Sequence, residues 1–307
     1  MEVVNYTSPA RIILLGISDV PHLQAICFLV FLVMYLTMLS GNLLLVILVR
    51  ITPKLNTPMY FFLSNLSIID ISFSSSIVPV ILVNALAKDR TISILQCGVQ
   101  VFFSLALGAI ECMILAVMAY DRYVAICQPL HYNTIMSKRF CYLLSFITWG
   151  IGFLNSCILV GHAFHQPFCT PHLNHYFCEI PPILRIVCSV TWLNSLVVFI
   201  SAGLIVMSSF CLTLVSYVCI ISTVLRIRSS EGRHKAFSTC GSHLTVVSLY
   251  YGTILFMYLR PRSISTQEAD RIVAVVYTAV TPMLNPFIYS MRNKDVKGSI
   301  ICNRRKR

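Results

Sequence analysis

The stretch Met118-Ala-Tyr-Asp-Arg-Tyr-Val-Ala-Ile-Cys-Gln-Pro-Leu-His-Tyr132 places a charged pair, Asp121 and Arg122, at the end of a long apolar run. An arginine at the edge of a membrane needs a partner, and the adjacent aspartate can supply one. The pattern predicts an arginine held at the membrane face until a helix moves and another protein captures it. The alternative is that Arg122 is one more cytoplasmic cation that marks orientation.

The composition around this stretch is that of an integral membrane protein. Of 307 residues, 57% are hydrophobic and only 11% are charged, whereas a soluble domain carries roughly 25% charged residues. Seven apolar stretches are long enough to span a bilayer as helices. We therefore predict an all-α fold, a seven-transmembrane helix bundle that forms a single domain over residues 1–307. The predicted spans cover about residues 25–49, 58–87, 92–120, 140–164, 192–225, 236–259 and 272–291.

The distribution of basic residues predicts the orientation of the bundle. Most of the 23 lysines and arginines fall on the side that includes Arg122, which is the pattern of a cytoplasmic face. Residues 1–24 are then an extracellular N-terminus and residues 292–307 a cytoplasmic tail, whose basic end predicts a short amphipathic helix on anionic lipid. The same excess accounts for the net charge of +12, so membrane lipid and an acidic partner are expected, and nucleic acid is not.

Features of the outer side are typical of an exported protein. Asn5-Tyr6-Thr7 is an acceptor for N-glycosylation. Four outer cysteines allow three disulfide pairings, among which the sequence does not choose; they are Cys97, Cys169, Cys178 and Cys188.

The segment from His165 to Thr191 is too long for a simple connection and is predicted to form a lid, tied down by disulfides, over the outer end of the bundle. Four histidines occur in or just before it, at a spacing that is not that of a regular metal site, so we interpret them as solvated. They are His162, His165, His172 and His175.

Two carboxylates, Asp70 and Glu111, fall inside predicted spans that contain no basic residue. They are expected to face the interior of the bundle, where they could share a proton or hold a small cation with help from Asn42 and Asn285. The alternative is that both are simply protonated and hydrogen-bonded.

The third, sixth and seventh spans contain further polar groups. Ser104, Leu105, Gly108 and Cys112 follow a helical stripe that is either packing or the border of a cavity. Ser242 and His243 are interpreted as interhelical hydrogen-bonding groups, because adjacent helical residues point about 100° apart and do not form a nucleophile and base.

The sixth span also places Tyr250, Tyr251 and Tyr258 in its outer half, with Tyr251 and Tyr258 on one face. In the seventh span, Pro282 and Pro286 free backbone carbonyls and permit a hinge.

At this point the motifs resemble those of a known family. The chain resembles the rhodopsin-like (class A) G-protein-coupled receptors and, within them, the olfactory (odorant) receptors of the tetrapod-type class, over nearly its whole length. The motifs that carry the resemblance are Leu55-Asn-Thr-Pro-Met-Tyr60, Met118 to Cys127, Pro129-Leu-His-Tyr132, Ser216-Tyr217, Lys235-Ala-Phe-Ser-Thr-Cys240, Ser242-His243 and Pro282-Met-Leu-Asn-Pro286 with Ile288-Tyr-Ser290.

The resemblance implies that Cys97 pairs with Cys178 and Cys169 with Cys188, and that Asp70 and Glu111 form a sodium site; no other cofactor is expected. It further implies that the coupling residues, which rearrange to admit the G protein, are Asp121, Arg122, Tyr123, Tyr217 and Tyr289. The implied odorant pocket is lined by Ser104, Leu105, Gly108, Cys112, Glu179, Ile180, Tyr251, Ile254, Tyr258 and Thr278.

The function that the resemblance implies is an odorant receptor of the plasma membrane of olfactory cilia, which activates a stimulatory G protein and raises cyclic AMP. The few charges in the implied pocket favour a neutral volatile ligand, although Glu179 would suit an amine if it points inward. The chain departs from the family pattern at Asn56, where histidine is usual, and at Tyr250, where phenylalanine is common.

Other classes of function fit the sequence less well. A transporter or channel would show internal repeats or paired broken helices, and the sequence has no repeat and one span broken by two prolines. An intramembrane enzyme would need a nucleophile and base, or a pair of metal ligands, at workable spacing, and no such set occurs.

Overall fold

Long α-helices make up most of this computed structural model, which describes residues 10–15, 20–188, 192–227, 229–259 and 267–292. Its elements, in chain order, are β1 (Arg11–Leu14), α1 (Pro21–Ile51), α2 (Pro58–Leu86), β2 (Thr91–Ser93), α3 (Ile94–Cys127), α4 (Tyr132–Ile135), α5 (Lys138–Phe164), β3 (His172–Leu173), α6 (Ile180–Ile186), α7 (Trp192–Leu225), α8 (Ser230–Leu259), α9 (Gln267–Val275), a π-helical turn (Val276–Val280) and α10 (Thr281–Arg292).

The helices follow the predicted spans closely, and the predicted helix bundle is confirmed. Among the described residues, six helices are long and apolar enough to cross a membrane. They are α1, α2, α3, α5, the Gly203–Leu225 part of α7 and the Arg271–Tyr289 part of the last helix, and α8 is the remaining helix of the bundle. The described residues end at Arg292, so the predicted amphipathic tail lies outside them, as does Asn5.

Several helices begin at the residues that favour a helical start. Pro21 and Pro58 occupy the first turns of α1 and α2, where a missing N–H removes no hydrogen bond. At the start of α3 the Ser93 hydroxyl accepts from the backbone N–H of Gln96 at 3.2 Å, and the Gln96 side chain accepts from the backbone N–H of Ser93 at 3.3 Å. This reciprocal pair satisfies two backbone donors that the helix leaves open.

Helix α3 is the central element of the bundle. It packs against α2, α5, α7 and α8, and most of the side chains on its inward face are buried. It extends to Cys127, seven residues beyond the predicted end of the third span, and so carries Asp121 and Arg122 within its last turns. We call the end of the bundle that holds Arg122 the inner end, and the opposite end, which holds the disulfides, the outer end.

A small sheet that the sequence analysis did not predict closes part of the outer end. Strand β1 lies in the middle, antiparallel to β2 and parallel to β3. Ile12 and Leu14 alternate with exposed residues and are buried beneath the sheet. They belong to an apolar group that we call the outer cluster, which also includes Val101, Phe168, Leu173, Ile180, Ile183 and Ile186.

Two disulfides hold the outer loop to the bundle. Cys97 at the start of α3 is bonded to Cys178, and Cys169 is bonded to Cys188. This is the pairing that the resemblance implies. The first bond fixes the loop over α3, and the second closes a shorter loop that contains β3 and α6, so the segment lies over the bundle as a lid.

Candidate functional site

The candidate ligand site lies between α3, α7 and α8, and the inward face of α3 forms its floor. Ser104 and Cys112 are buried on this face, and Gly108 between them is partly exposed. A Cβ atom placed on Gly108 would meet nothing within 4 Å. Because Glu111 and Leu115 on the same face are also buried, the open space beside Gly108 lies inside the bundle.

Helix α8 supplies two phenols to this space. The Tyr250 hydroxyl donates to the backbone carbonyl of Gly108 at 2.7 Å, and the Tyr251 hydroxyl lies 3.6 Å from the Cys112 sulfur. The two rings meet edge to face at 5.5 Å between centroids. The sequence analysis placed Tyr251 in the pocket, and the structure adds Tyr250 beside it.

Helix α7 contributes residues that the sequence analysis missed. Ser209 lies within hydrogen-bonding reach of Cys112, and Thr213 lies within reach of Tyr251. The Phe210 ring packs edge to face on Tyr251 with centroids 5.2 Å apart. The available signal was the pair of hydroxyl residues four positions apart in an otherwise apolar span, which places Ser209 and Thr213 on one helix face.

The other predicted pocket residues are more scattered. Leu105 packs against the outer cluster, and Ile180 is a buried member of it. Ile254 packs against the large apolar core of the bundle. Thr278 is fully buried, and its hydroxyl donates to the backbone carbonyl of Ala274 at 2.6 Å. The side chain of Tyr258 lies outside the described part of the chain.

The outer loop contacts the last helix through Glu179. Tyr277 donates to one carboxylate oxygen of Glu179 at 2.7 Å, and the Nε2 atom of His175 lies 3.9 Å from the other oxygen. The interpretation of His175 as a solvated histidine is wrong, because its side chain is only 4% exposed. His165 and His172 are exposed, as predicted.

Burial also sets the protonation of His175. Loss of hydration lowers the pKa of its imidazole to about 4, helped by the positive charges of Arg271 and Arg185, although the hydrogen bond to the Phe177 carbonyl opposes the change. The ring is therefore neutral at pH 7. Since a carbonyl only accepts, Nδ1 carries the proton and donates to Phe177.

The two intramembrane acids lie deeper, within electrostatic reach of each other. Asn285 donates to one oxygen of Asp70 at 2.9 Å. The other Asp70 oxygen and the amide oxygens of Asn42 and Asn285 are buried and have no hydrogen-bond donor among the described residues. A buried group of oxygen acceptors without donors is the ligand set that a hard cation such as sodium prefers. No group of three or more His, Cys, Asp or Glu side chains suited to a metal occurs among the residues that the structure describes.

The prolines of the last helix release carbonyls that other helices bind. Pro282 cannot donate to the carbonyl of Thr278, and the Ser74 hydroxyl of α2 donates to it instead at 3.0 Å. Pro286 likewise leaves the Pro282 carbonyl free, and Asn42 of α1 donates to it at 3.1 Å. The proline-broken helix is thus held to α1 and α2 at the carbonyls that its own backbone leaves unpaired.

At the inner end, Asp121 binds a partner other than the predicted one. Its carboxylate accepts from the Tyr132 hydroxyl at 2.8 Å, whereas Arg122 acts on it electrostatically without an ion pair within the described ranges. Arg122 is partly buried and its Nε atom finds no acceptor among these residues. It lies close enough to Tyr217, His243 and Tyr289 to act on all three electrostatically.

His243 connects three helices above Arg122. Its Nε2 atom lies 3.1 Å from the Leu115 carbonyl of α3, and its Nδ1 atom lies 2.6 Å from the Tyr217 hydroxyl of α7. The neighbouring Ser242 donates to the Ile288 carbonyl of α10 at 3.0 Å. The prediction that these two residues make interhelical hydrogen bonds is confirmed.

Comparison with known proteins gives one consistent result. Residues 31–304 match the family model described as "Olfactory receptor". Olfactory receptor 5AP2 of Mus musculus is 48% identical over 297 residues, which cover 96% of this chain and 94% of that protein. Olfactory receptor 2W3 of Homo sapiens is 46% identical over 301 residues, covering 98% and 96%. Among solved structures, squid rhodopsin superposes with a TM-score of 0.71 over 92% of this chain and 81% of its own, at 17% identity, which shows the shared fold.

Proposed function

The chain belongs to the olfactory receptor family, and from this membership we propose that it binds a small neutral volatile ligand between α3, α7 and α8 and activates a stimulatory G protein that raises cyclic AMP. It is a multi-pass protein of the plasma membrane and not an enzyme. Its N-terminus is extracellular and its tail cytoplasmic, with the cilia of olfactory neurons as its site of action.

One observation supports this proposal above the others. Helix α8 carries both the phenols beside the candidate ligand site, Tyr250 and Tyr251, and His243, which bonds to Tyr217 near the inner end. Tyr250 and His243 are seven residues apart, so they lie on the same helix face two turns from each other. A ligand that displaces α8 beside Tyr250 therefore acts on the bond between His243 and Tyr217. If the ligand binds the displaced state more tightly, it shifts the population toward that state.

The polarity of the site supports a neutral ligand. The groups that surround the space beside Gly108 are phenols, a thiol and hydroxyls, and within the described part of the chain no charged side chain hydrogen-bonds to them. Glu179 accepts from Tyr277 at the outer edge, in the loop and away from the phenols. Glu111 acts on Cys112 electrostatically from deeper in the bundle, and we assign its carboxylate to a sodium ion, which leaves the phenols and hydroxyls as the groups that the ligand meets.

The test is a cyclic AMP measurement in cells that express wild type or Arg122→Ala, during a screen of diverse volatiles at equal surface expression. We expect at least one volatile to raise cyclic AMP through wild type and not through the variant. A wild-type response that Arg122→Ala retains in full would contradict the proposed role of Arg122 in coupling.

We assign the buried acceptors around Asp70 to a sodium ion that modulates the receptor. Asp70 and Glu111 supply negative charge, and the amide oxygens of Asn42 and Asn285 complete the ligand set. Bound sodium would neutralise the acids and hold α1, α2, α3 and α10 together. Thermal unfolding of the purified receptor in sodium chloride and in choline chloride tests this: a higher midpoint in sodium, lost in Asp70→Asn, is expected, and equal midpoints would favour the protonated pair instead.

A further inference from the structure

The hydrogen bond between Tyr250 and Gly108 joins α8 to α3 beside the open space of the candidate site. Tyr250 is 8% exposed, and its hydroxyl donates to the Gly108 carbonyl at 2.7 Å. The phenol also lies within reach of the Cys112 thiol. Its hydroxyl is therefore a donor located at the wall of the space into which a Gly108 side chain would point.

The acceptor in this bond can lose Tyr250 without being left unpaired. Gly108 lies inside α3, so its carbonyl also accepts from the backbone N–H of Cys112 one turn later. A carbonyl oxygen has two lone pairs, and the helix bond occupies one of them. The Tyr250 hydroxyl must keep an acceptor when it leaves Gly108, because a buried donor without an acceptor is strongly disfavoured.

We propose that the Tyr250 hydroxyl determines the class of ligand that binds, an inference that rests on the proposed function. The hydroxyl leaves the Gly108 carbonyl and donates to an oxygen acceptor of the ligand. The ligand is a neutral ketone, aldehyde or ester. A hydrocarbon cannot accept this bond, so it leaves the phenol on Gly108. The exchange removes a connection between α3 and α8, which couples recognition of the ligand oxygen to movement of the helix that carries His243.

The space beside Gly108 is the right place for the ligand oxygen. Apart from the adjoining backbone of α3, no atom of the described residues lies within 4 Å of a Cβ position there, and the carbonyl that the oxygen replaces is on the same residue. The Tyr250 hydroxyl also lies beyond 4 Å from that position, so the phenol must turn from the carbonyl toward this space to reach the ligand oxygen.

The experiment measures ligand binding apart from signalling. The purified receptor in lipid nanodiscs is titrated with octanal, 2-octanone and hexyl acetate, with octane and nonane as hydrocarbon probes, and binding is followed as the shift in the midpoint of thermal unfolding. The variants are Tyr250→Phe and Gly108→Ala. Tyr142→Phe is the matched control, since Tyr142 is 61% exposed on α5 and removal of its hydroxyl leaves the site intact.

We expect at least one oxygenated probe to stabilise wild type and the Tyr142→Phe control with the same affinity, and to bind Tyr250→Phe roughly 2- to 12-fold more weakly, the effect of one neutral hydrogen bond. The hydrocarbons should not distinguish Tyr250→Phe from wild type. Gly108→Ala should weaken every probe, because its methyl group fills the space.

Two outcomes overturn the inference: an oxygenated probe that binds wild type and Tyr250→Phe equally, or a wild type that none of the oxygenated probes stabilises. The failure of the proposed function would look different. If the probes bind with the expected preference and no volatile raises cyclic AMP, the role of Tyr250 stands and the signalling proposal fails.

Discussion

The hydroxyl of Tyr217 donates to Nδ1 of His243 at 2.6 Å, while Nε2 of the same ring donates to the Leu115 carbonyl at 3.1 Å. The direction follows from chemistry: a carbonyl only accepts, so Nε2 carries the proton of the neutral ring and Nδ1 must accept. One fully buried imidazole thereby connects α3, α7 and α8. Among the described residues, His243 and Ser242 make the side-chain bonds that join the inner half of α8 to α3, α7 and α10.

We predict that His243→Phe both destabilises the receptor and raises its basal signal. The change leaves the Tyr217 hydroxyl without its acceptor, so the free energy of unfolding should fall by about 1–3 kcal/mol. Basal cyclic AMP at equal surface expression should rise, because α8 loses the two bonds that this imidazole makes to α3 and α7. The matched control is His234→Phe, an exposed histidine on the same helix, and an equal basal rise in that control would contradict the prediction.

The bond between Ser74 and the Thr278 carbonyl gives a second prediction. Pro282 leaves that carbonyl without its helical donor, so Ser74→Ala creates a buried unpaired acceptor and should lower the free energy of unfolding by about 1–2 kcal/mol. Ser76→Ala is the control, because the Ser76 hydroxyl donates only to the Phe73 carbonyl of its own helix. Thermal unfolding of the two purified variants checks this, and similar midpoints would show that Thr278 finds another donor.

Close approach of α1 to α10 predicts the effect of a single methyl group. A Cβ on Gly41 would lie 2.9 Å from Cγ of Pro286, whose ring cannot move aside. Gly41→Ala should therefore force the helices apart and destabilise the receptor by about 1–3 kcal/mol. Gly150→Ala, where nothing lies within 4 Å, should be neutral or slightly stabilising, because alanine favours the helix. A neutral Gly41→Ala in the same thermal assay would mean that the helices separate without strain.

These features divide into those that the sequence predicts and those that it does not. Hydropathy and segment length predicted the seven helices of the bundle, because the prediction of each span depends only on the residues within it. Pro282 and Pro286 likewise predicted carbonyls without a helical donor, because the absence of a backbone N–H follows from the residue type alone. The donors that bind those carbonyls, Ser74 and Asn42, lie more than 200 positions away in the chain, and no local pattern identifies them.

The outer sheet escaped prediction for a related reason. Strand β1 is four residues long, and its partners lie about 80 and 160 positions further along the chain. An alternation as short as that of Ile12 and Leu14 is common by chance, so only the tertiary structure makes it a strand. The interpretation of His175 was wrong because loop histidines are usually solvated, whereas here the ring is buried, packs edge to face on Phe177 and donates to its carbonyl.

The buried His175 predicts how acid affects the outer loop. Its pKa is lowered from 6.5 to about 4 in the folded protein, so the unfolded chain binds the proton first as the pH falls. Stability from this group is complete above pH 6.5, declines as the pH falls toward 4, and is lost below that value, a total of about 3 kcal/mol. Thermal unfolding of wild type between pH 7 and pH 4 should show this decline.

The decline should be smaller in His175→Phe, which keeps an aromatic ring against Phe177 but does not titrate. His172→Phe is the matched control, because His172 is exposed in the same loop and its substitution should leave the pH dependence of wild type unchanged. Glu179 tempers the effect, since its carboxylate oxygen lies 3.9 Å from Nε2 and would attract the new charge. If His175→Phe and wild type lose stability in parallel as the pH falls, then acid acts on other groups and the imidazole is not the one that destabilises the lid.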